Sequence, residues 1–305
     1  MNKNLSNEEL DILKLIKILF DQKKLISFGT LLFALISVII SLNIPNTYSS
    51  SALLAPTTAD DSLSSKLSSY STLAGIAGVN LPPENISNST EAIERMKSFE
   101  FFSTHILPYI KLEDLVASKK WSRDNNQIIY DDDIFDAKTN KWVRKVSQPK
   151  RPIPSDQEAF KFFKEQFTVS QDKKNLFVSL KVDHHSPYIA KAWADLIIKN
   201  INNSMKEEDI NAAQNAIKFL NDSSTTTNIQ SLKDVISSLL ESQMQTLMLA
   251  SSSDAYVFKT INSPIVSEYK SGPNKFLICM LITLLGFFVS IFFVLIKNYY
   301  KKINV

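Results

Sequence analysis

FLICMLITLLGFFVSIFFVLI, residues 276–296, is a run of 21 residues without a charge, and 16 of them are Leu, Ile, Phe or Val. An α-helix of this length covers about 30 Å, the thickness of the hydrocarbon core of a bilayer. We therefore predict that this segment spans a membrane. Only nine residues follow it, 297–305. Because so short a tail cannot fold as a domain, we expect the protein to act on the other side of the membrane.

A second apolar run, residues 25–44, has 20 residues without a charge, 13 of them Leu, Ile, Phe or Val. Inserting these residues into a membrane gains roughly 4–8 kcal/mol. A cleavable signal peptide is the alternative, but its apolar region is shorter and ends at small residues, whereas this run ends in Asn43-Ile44-Pro45. We predict a retained membrane helix, preceded by a short amphipathic helix within residues 1–24.

Lysines flank the outer end of each apolar run. Five lie in residues 1–24 and three in residues 297–305, whereas residues 25–65 contain neither Lys nor Arg. The positive-inside rule then places both termini in the cytoplasm and residues 45–275 outside.

The composition excludes several classes of function. The net charge is +3, and 30 Lys stand against 4 Arg, so no arginine-rich surface for nucleic acid is predicted. The single cysteine, Cys279, lies in the second apolar run and cannot form a disulfide framework. With three His in the chain and no His-Cys-carboxylate pattern, we predict no metal and no cofactor, and a cap or loop role for the pair His184-His185.

The external segment predicts a small mixed sheet close to the membrane. Strand patterns occupy residues 48–54, 167–170, 175–182 and 256–261, and we expect the first and last of these strands to pair. Short amphipathic helices are predicted in residues 91–107 and 156–167.

A separate hairpin is predicted from residues 128–130 and 141–143, with Asp131, Asp132 and Asp133 at its tip. Three adjacent carboxylates are also compatible with a cation site. They lack the alternating spacing and the glycine of a calcium loop, which favours a solvated turn.

Residues 188–263 contain neither Pro nor Gly, and apolar residues recur there at steps of three and four. Polar residues 221–228 interrupt the pattern, so we predict a hairpin of two helices at about residues 187–250. A first helix of about 34 residues projects ~50 Å. That length exceeds what a core needs and indicates subunits packed side by side. The predicted fold class is α+β, with two transmembrane helices flanking this domain.

Small residues are concentrated at two places where close packing is one of two interpretations. A serine-rich stretch, residues 62–71, precedes Gly75 and Gly78, and it is compatible with either a packed turn or a flexible linker. In the apolar runs, small residues four apart are compatible with close helix packing or with a chance pattern facing lipid: Ser37 with Ser41, and Gly286 with Ser290.

Several segments resemble the Wzz-type chain length determinants, or polysaccharide co-polymerases, of bacterial envelopes. Residues 9–20 resemble the juxtamembrane segment of that family, residues 75–79 its Gly-Leu-Ala-Gly-Leu stretch, and residues 239–250 its most specific helical segment. The approach to the second span departs from the family pattern, with fewer prolines. The residues that match family motifs are Pro45, Tyr48, Gly75, Gly78, Tyr256, Pro264, Pro273 and Lys275.

The resemblance implies a protein without catalytic activity that sets the modal length of lipid-linked O-antigen or a related surface polysaccharide. It implies a ring-like homo-oligomer in the bacterial inner membrane with a periplasmic main domain. The implied partners are a Wzy-type polymerase and the polyprenyl-linked polysaccharide. No fused kinase domain is expected, because the sequence has no Gly-Lys-Ser/Thr phosphate-binding loop.

Two other classes are compatible with two spans around an external domain. One is an inner-membrane component of capsular polysaccharide export. The other is a sensor, which needs a cytoplasmic output module that nine residues cannot supply. No catalytic motif is present, although a pair of carboxylates acting on a sugar needs only to meet in space.

Overall fold

The computed structural model describes residues 19–57, 87–226 and 229–303. The chain divides into two compact units: Thr47–Lys270, and a terminal unit formed by the segments on either side of it. The predicted amphipathic segment before residue 19 and the stretch with Gly75 and Gly78 lie outside the described residues.

The described helices and strands alternate in small groups before the long helices begin. In chain order they are α1 (Lys23–Asn43), β1 (Tyr48–Pro56), α2 (Asn88–Met96), α3 (Phe99–Phe101), α4 (Leu112–Val116), β2 (Ser118–Ser122), β3 (Gln127–Tyr130), β4 (Phe135–Asp136), β5 (Lys141–Trp142), α5 (Asp156–Gln166), β6 (Phe167–Gln171), β7 (Val178–His184), α6 (Pro187–Thr226), α7 (Gln230–Ser252), β8 (Phe258–Asn262) and α8 (Lys275–Ile303). A π-helix, Phe102–Ile106, and a 3-10 turn, Leu107–Tyr109, lie between α3 and α4.

The terminal unit contains α1 and α8. Lys23–Asn43 and Lys275–Lys297 are both long and apolar enough to cross a membrane.

The main sheet has the strand order β6-β7-β1-β8, and the predicted pairing of the first and last strands is confirmed. The expectation of a mixed sheet was wrong, because every neighbouring pair in this sheet is antiparallel. β7 and β8 run in the same direction, but β1 lies between them and runs opposite to both, so no parallel pair arises.

The core of Thr47–Lys270 lies between one face of this sheet and the helices that cover it. Alternate residues of β7 point into it, with Val178, Leu180 and Val182 buried. Phe163 of α5 stacks on Phe167 with 5.1 Å between ring centroids. α5 begins with a capping box, in which Ser155 Oγ accepts from the backbone N–H of Glu158.

The two-helix hairpin was predicted, and α6 and α7 confirm it. α6 has 40 residues, more than the predicted length, and spans ~60 Å. The predicted interruption at residues 221–228 is where α6 ends, at Thr226, but the helix first continues through most of the polar stretch. The hydroxyls there bond carbonyls of the preceding turn. Ser223 Oγ donates to Phe219 O at 2.8 Å and Thr225 Oγ1 to Asp222 O at 2.8 Å.

The hairpin predicted between residues 128–130 and 141–143 was wrong in its pairing. β3 pairs with β2, and β5 pairs with β4, so the chain forms two consecutive hairpins. Each turn contains an asparagine with positive φ, Asn126 at 49° and Asn140 at 54°. Asn tolerates this conformation better than most residues, and both turns depend on it.

His184 ends β7 and joins the sheet to α4. Its Nδ1 accepts from the Ser186 N–H at 3.0 Å, so Nε2 carries the proton and donates to Asp114 O at 3.0 Å. Its ring contacts Trp193 edge-on, with 4.9 Å between centroids. Burial lowers the pKa of His184 to about 4. A cap or loop role was expected for this pair, whereas His184 lies at the end of strand β7, three residues before Pro187 begins α6.

Asn202 anchors the inner half of α6 to the start of β8. Its Oδ1 accepts from the N–H groups of Val257 and Phe258 at 2.8 and 2.9 Å. Its Nδ2 donates to Ile198 O and Phe258 O at 3.1 and 3.2 Å. The amide is buried and fully hydrogen-bonded, which fixes where the chain leaves the helical hairpin and enters the sheet.

We predict that Asn202→Ala lowers the free energy of unfolding by about 3 kcal/mol, because two buried backbone N–H groups lose their acceptor. Asn203→Ala is the matched control, since Asn203 is the next residue and is exposed. It should change the stability by less than about 0.5 kcal/mol. Denaturant unfolding of the purified protein in detergent measures both, and equal losses would contradict the anchoring role.

We predict that acid destabilises the protein through His184. Its folded pKa of about 4 lies below the ordinary value of 6.5, so the neutral ring stabilises the fold fully above pH 6.5. That contribution, up to about 3 kcal/mol, is lost as the pH falls from 6.5 towards 4. His184→Gln should remove this pH dependence, whereas His105→Gln should keep it. Thermal unfolding from pH 7.5 to 4 provides the comparison, and an unchanged profile in His184→Gln would refute the assignment.

Candidate functional site

The two apolar helices of the terminal unit approach most closely at two glycines. A Cβ on Gly29 would lie 2.3 Å from Ser290 Oγ, and a Cβ on Gly286 would lie 2.2 Å from Phe33 Cβ. Both separations are far inside van der Waals contact. Gly286 accepts no larger residue unless α1 moves away from α8, because the clash is with Phe33 Cβ. At Gly29 the Ser290 hydroxyl can rotate away, which leaves Ser290 Cβ at 3.1 Å, a tight contact.

Serines and one cysteine contribute polar contacts along the same line. Ser41 Oγ donates to Lys275 O at 3.2 Å, and Cys279 Sγ lies 3.7 Å from Ser37 O. Ser290 Oγ donates to Gly286 O of its own helix at 2.7 Å. Ser37, Ser41 and Ser290 are buried although most of α1 and α8 is exposed. The four small residues singled out in the two runs thus lie along the contact between α1 and α8, but in two places: Ser37 and Ser41 beside the start of α8, and Gly286 and Ser290 beside Phe33 and Gly29.

The residues that match family motifs lie at the ends of elements. Pro45 precedes β1, and Tyr48 begins it, with its ring edge-on to Trp121 at 5.4 Å between centroids. Pro264 is buried just after β8, where Ser50 Oγ donates to the next carbonyl, Ile265 O, at 2.8 Å. In the terminal unit, Pro273 lies two residues before Lys275, which begins α8. Gly75 and Gly78 lie outside the described part of the chain.

Tyr256, the remaining residue of that set, closes the base of the helical hairpin. Its hydroxyl donates to Asp209 Oδ2 at 2.5 Å, and its carbonyl accepts from Thr57 Oγ1 at 2.5 Å. Burial raises the pKa of Asp209 despite the bond from Tyr256. Asp209 lies two turns beyond Asn202, so both side chains lie on the face of α6 that holds the segment before β8.

An ion-pair cluster joins α2 to the same part of α6. The Arg95 guanidinium binds Glu208 and also Glu91, the latter at 2.7 Å. These bonds, that to Glu208 most strongly, raise the pKa of Arg95. The cluster neutralises carboxylates at the base of the hairpin and holds α2 against α6.

The outer part of the hairpin exposes apolar side chains on two flanks of α7. Ile236 and Ala250 are buried and mark the inner face. At about 100° per residue, three exposed residues lie on one side of that face and two on the other. They are Val235, Leu239 and Leu249 on the first flank, and Met244 and Met248 on the second.

The described residues provide surfaces for packing and no cluster of metal ligands. Among residues 19–57, 87–226 and 229–303, no group of three or more His, Cys, Asp or Glu could hold a metal. Asp131, the first of the three adjacent aspartates, accepts from the backbone N–H of Asp133 at 3.2 Å and pairs with Lys119 at 3.3 Å. These contacts fit a solvated turn.

Sequence reasoning missed several residues of this site. Asn202 and Arg95 have no sequence signal, because a buried amide and an ion-pair hub look like ordinary polar positions of a helix. Gly29 could have been found, since it is the only glycine of the first apolar run and precedes Ser37 by two turns.

Comparison with known proteins identifies a family for the N-terminal part of the chain. The family described as chain length determinant protein, Wzz, matches residues 8–99. No curated protein is a detectable sequence relative of this chain.

Two solved structures are similar to the chain. One is a full-length bacterial polysaccharide co-polymerase, with 13% identity, a TM-score of 0.40, and coverage of 95% of this chain and 98% of that one. The other is a fragment of WzzB, a polysaccharide co-polymerase from Salmonella Typhimurium, with 16% identity, a TM-score of 0.30, and coverage of 74% of this chain and 100% of that one.

The segment matched at residues 8–99 contains α1, β1 and α2, and therefore includes the first apolar helix and the first strand of the sheet. Over that segment, the chain matches the family of Wzz chain length determinant proteins.

Proposed function

We propose that this protein sets the modal length of a lipid-linked surface polysaccharide, O-antigen or a related polymer, while a Wzy-type polymerase extends it. The family match over residues 8–99 carries the proposal. The protein acts as an oligomeric scaffold in the bacterial inner membrane, with both termini in the cytoplasm and the main domain in the periplasm. It makes and breaks no bonds of the polymer itself.

The two apolar helices and the lysines outside them support the membrane placement. α1 and α8 are long enough to cross the bilayer. Lysines lie before the first apolar run and after the second, where the positive-inside rule expects cytoplasmic residues.

The length of α6 supports a scaffold that offers the polymer a surface of fixed height. A rigid helix of ~60 Å is much longer than the core needs, and its buried residues are concentrated in the inner half, where α6 contacts the sheet. In the proposed mechanism, the helical hairpins of several subunits form a surface of constant height. A growing polymer that follows this surface leaves the polymerase after a characteristic length.

The two apolar flanks of α7 support the oligomer. Met248 is 70% exposed and Val235 is 54% exposed, which is unfavourable for side chains left in water. The flanks lie on opposite sides of the buried face and differ in composition. One flank of each subunit can therefore pack on the other flank of its neighbour, a head-to-tail contact that closes into a ring.

We predict that deleting the gene removes the modal cluster of polysaccharide lengths while polymer is still made, as seen by gel analysis of envelope polysaccharide. The full chain supplied in trans should restore the cluster. If deletion instead abolishes surface polymer, the protein is an export component and the proposal fails.

We predict that either flank, when made acidic, dissociates the oligomer. Val235→Glu with Leu249→Glu changes one flank, and Met244→Glu with Met248→Glu changes the other. Each double variant should be a monomer by native mass spectrometry in detergent. A mixture of the two should form heterodimers, because each retains the flank that the other lacks.

Ser252→Glu is the control, because it adds an acid on the outer face of α7 between the two flanks. It should keep the mass of the assembly and the modal cluster. Double variants that remain at the mass of the unmodified assembly would exclude these flanks as the contact.

A further inference from the structure

A groove lies between α1 and α8 at the end where α1 begins. Its cavity is about 300 Å³, and apolar side chains from both helices form most of its wall. Its lining is Leu19, Phe20, Lys23, Ile26, Ser27, Phe287 and Ile291. Phe287 and Ile291 are one turn apart on α8, so they form a continuous apolar strip opposite α1.

A second cavity continues from the first along the surface of α1. It is an open hollow of about 570 Å³ on the face of α1, lined by Lys23, Lys24, Ser27, Phe28 and Leu31. Lys23 and Ser27 line both cavities, which are therefore adjoining parts of one groove. Two ammonium groups lie at its end, and Asp21, the nearest acidic residue in sequence, lines neither cavity.

The groove has an apolar wall and two lysines at one end, so a matching ligand has both an apolar chain and an anionic group. Its walls belong to helices that are long and apolar enough to cross a membrane, so its apolar part faces hydrocarbon chains. Its lysines are the first two residues of α1, and the ends of membrane-spanning helices are where lipid headgroups lie. Lysine side chains near helix ends extend towards that interface, and basic grooves between membrane helices attract anionic headgroups.

We propose that this groove binds one anionic phospholipid. The headgroup phosphate contacts Lys23 and Lys24, and an acyl chain lies along Phe20, Phe287 and Ile291. The ligand is a lipid and not a free phosphate, because two exposed lysines alone hold an anion weakly in water and the adjoining wall is apolar. This inference depends on α1 and α8 crossing a membrane and is independent of polymer length control.

The test is lipid titration of the purified full chain in detergent, followed by native mass spectrometry. Phosphatidylglycerol is the anionic probe, and phosphatidylcholine is the zwitterionic comparison. We expect the chain to bind one phosphatidylglycerol about tenfold more tightly than phosphatidylcholine. Raising the salt concentration should reduce the preference, because exposed charges are screened.

Three variants distinguish the contribution of the lysine charges to lipid binding from that of the shape of the groove. Lys23→Gln with Lys24→Gln should abolish the preference for phosphatidylglycerol. Ser27→Phe should weaken the binding of phosphatidylglycerol with all charges retained, because it fills the groove where the two cavities join. Lys297→Gln is the control: it removes one charge near the same end of the helix pair, on a residue that lines neither cavity, and should bind as the unmodified chain does.

Far-ultraviolet circular dichroism and the oligomeric mass establish that each variant is folded. A preference for phosphatidylglycerol that survives in the double lysine variant, or an equal loss in Lys297→Gln, would overturn the proposal. Competition by inorganic phosphate at constant ionic strength would show that the headgroup anion alone is sufficient and would also overturn it.

Discussion

The antiparallel pairing of β1 with β8 is the constraint on which the structure of the main unit depends. β1 follows the first apolar helix and β8 precedes the second, and their pairing joins Leu53 to Asn262 and Pro56 to Phe258. The chain therefore enters and leaves the sheet at the same end. The residues between them leave and return to that end: β6 and β7 lie on one side of β1, and β8, which follows the helical hairpin, lies on the other.

The helical hairpin has two halves with different energetics. Its base is fixed by buried polar contacts, above all the four hydrogen bonds of Asn202 and the bond between Tyr256 and Asp209. Beyond Ala213, side chains of α6 are no longer buried, and α7 has only Ile236 and Ala250 buried. The outer half is held by few apolar contacts within one chain, so in the proposed oligomer the packing between subunits acts on the part of the hairpin that is least stabilised within the monomer.

The two apolar helices contact each other through small residues, in contrast to the large apolar side chains of the core. Between membrane helices no gain comes from removing apolar surface from water, so close approach and polar contacts decide the packing. Gly29 opposite Ser290 and Gly286 opposite Phe33 provide that approach. Towards the end of α1 that bears Lys23, larger side chains replace the small ones, and the groove lined by Phe20, Phe287 and Ile291 lies there.

The sequence alone determined those features that depend on local pattern and length. Two charge-free runs predicted long apolar helices, the steps of three and four over residues 188–263 predicted the hairpin, and the alternation in β7 predicted a strand with one buried face. These signals suffice because periodicity and hydrophobic length act within one element.

The tertiary structure decided everything that requires two distant segments to meet. Strand pairing in residues 118–142 was wrong in the prediction because short strands carry little register information. Each of the two observed hairpins has an asparagine with positive φ in its turn. Asn202, Arg95 and Gly29 gained their roles only from neighbours far away in the chain. A hydrogen bond, an ion pair or a close approach depends on the partner's position, and no single residue specifies that position.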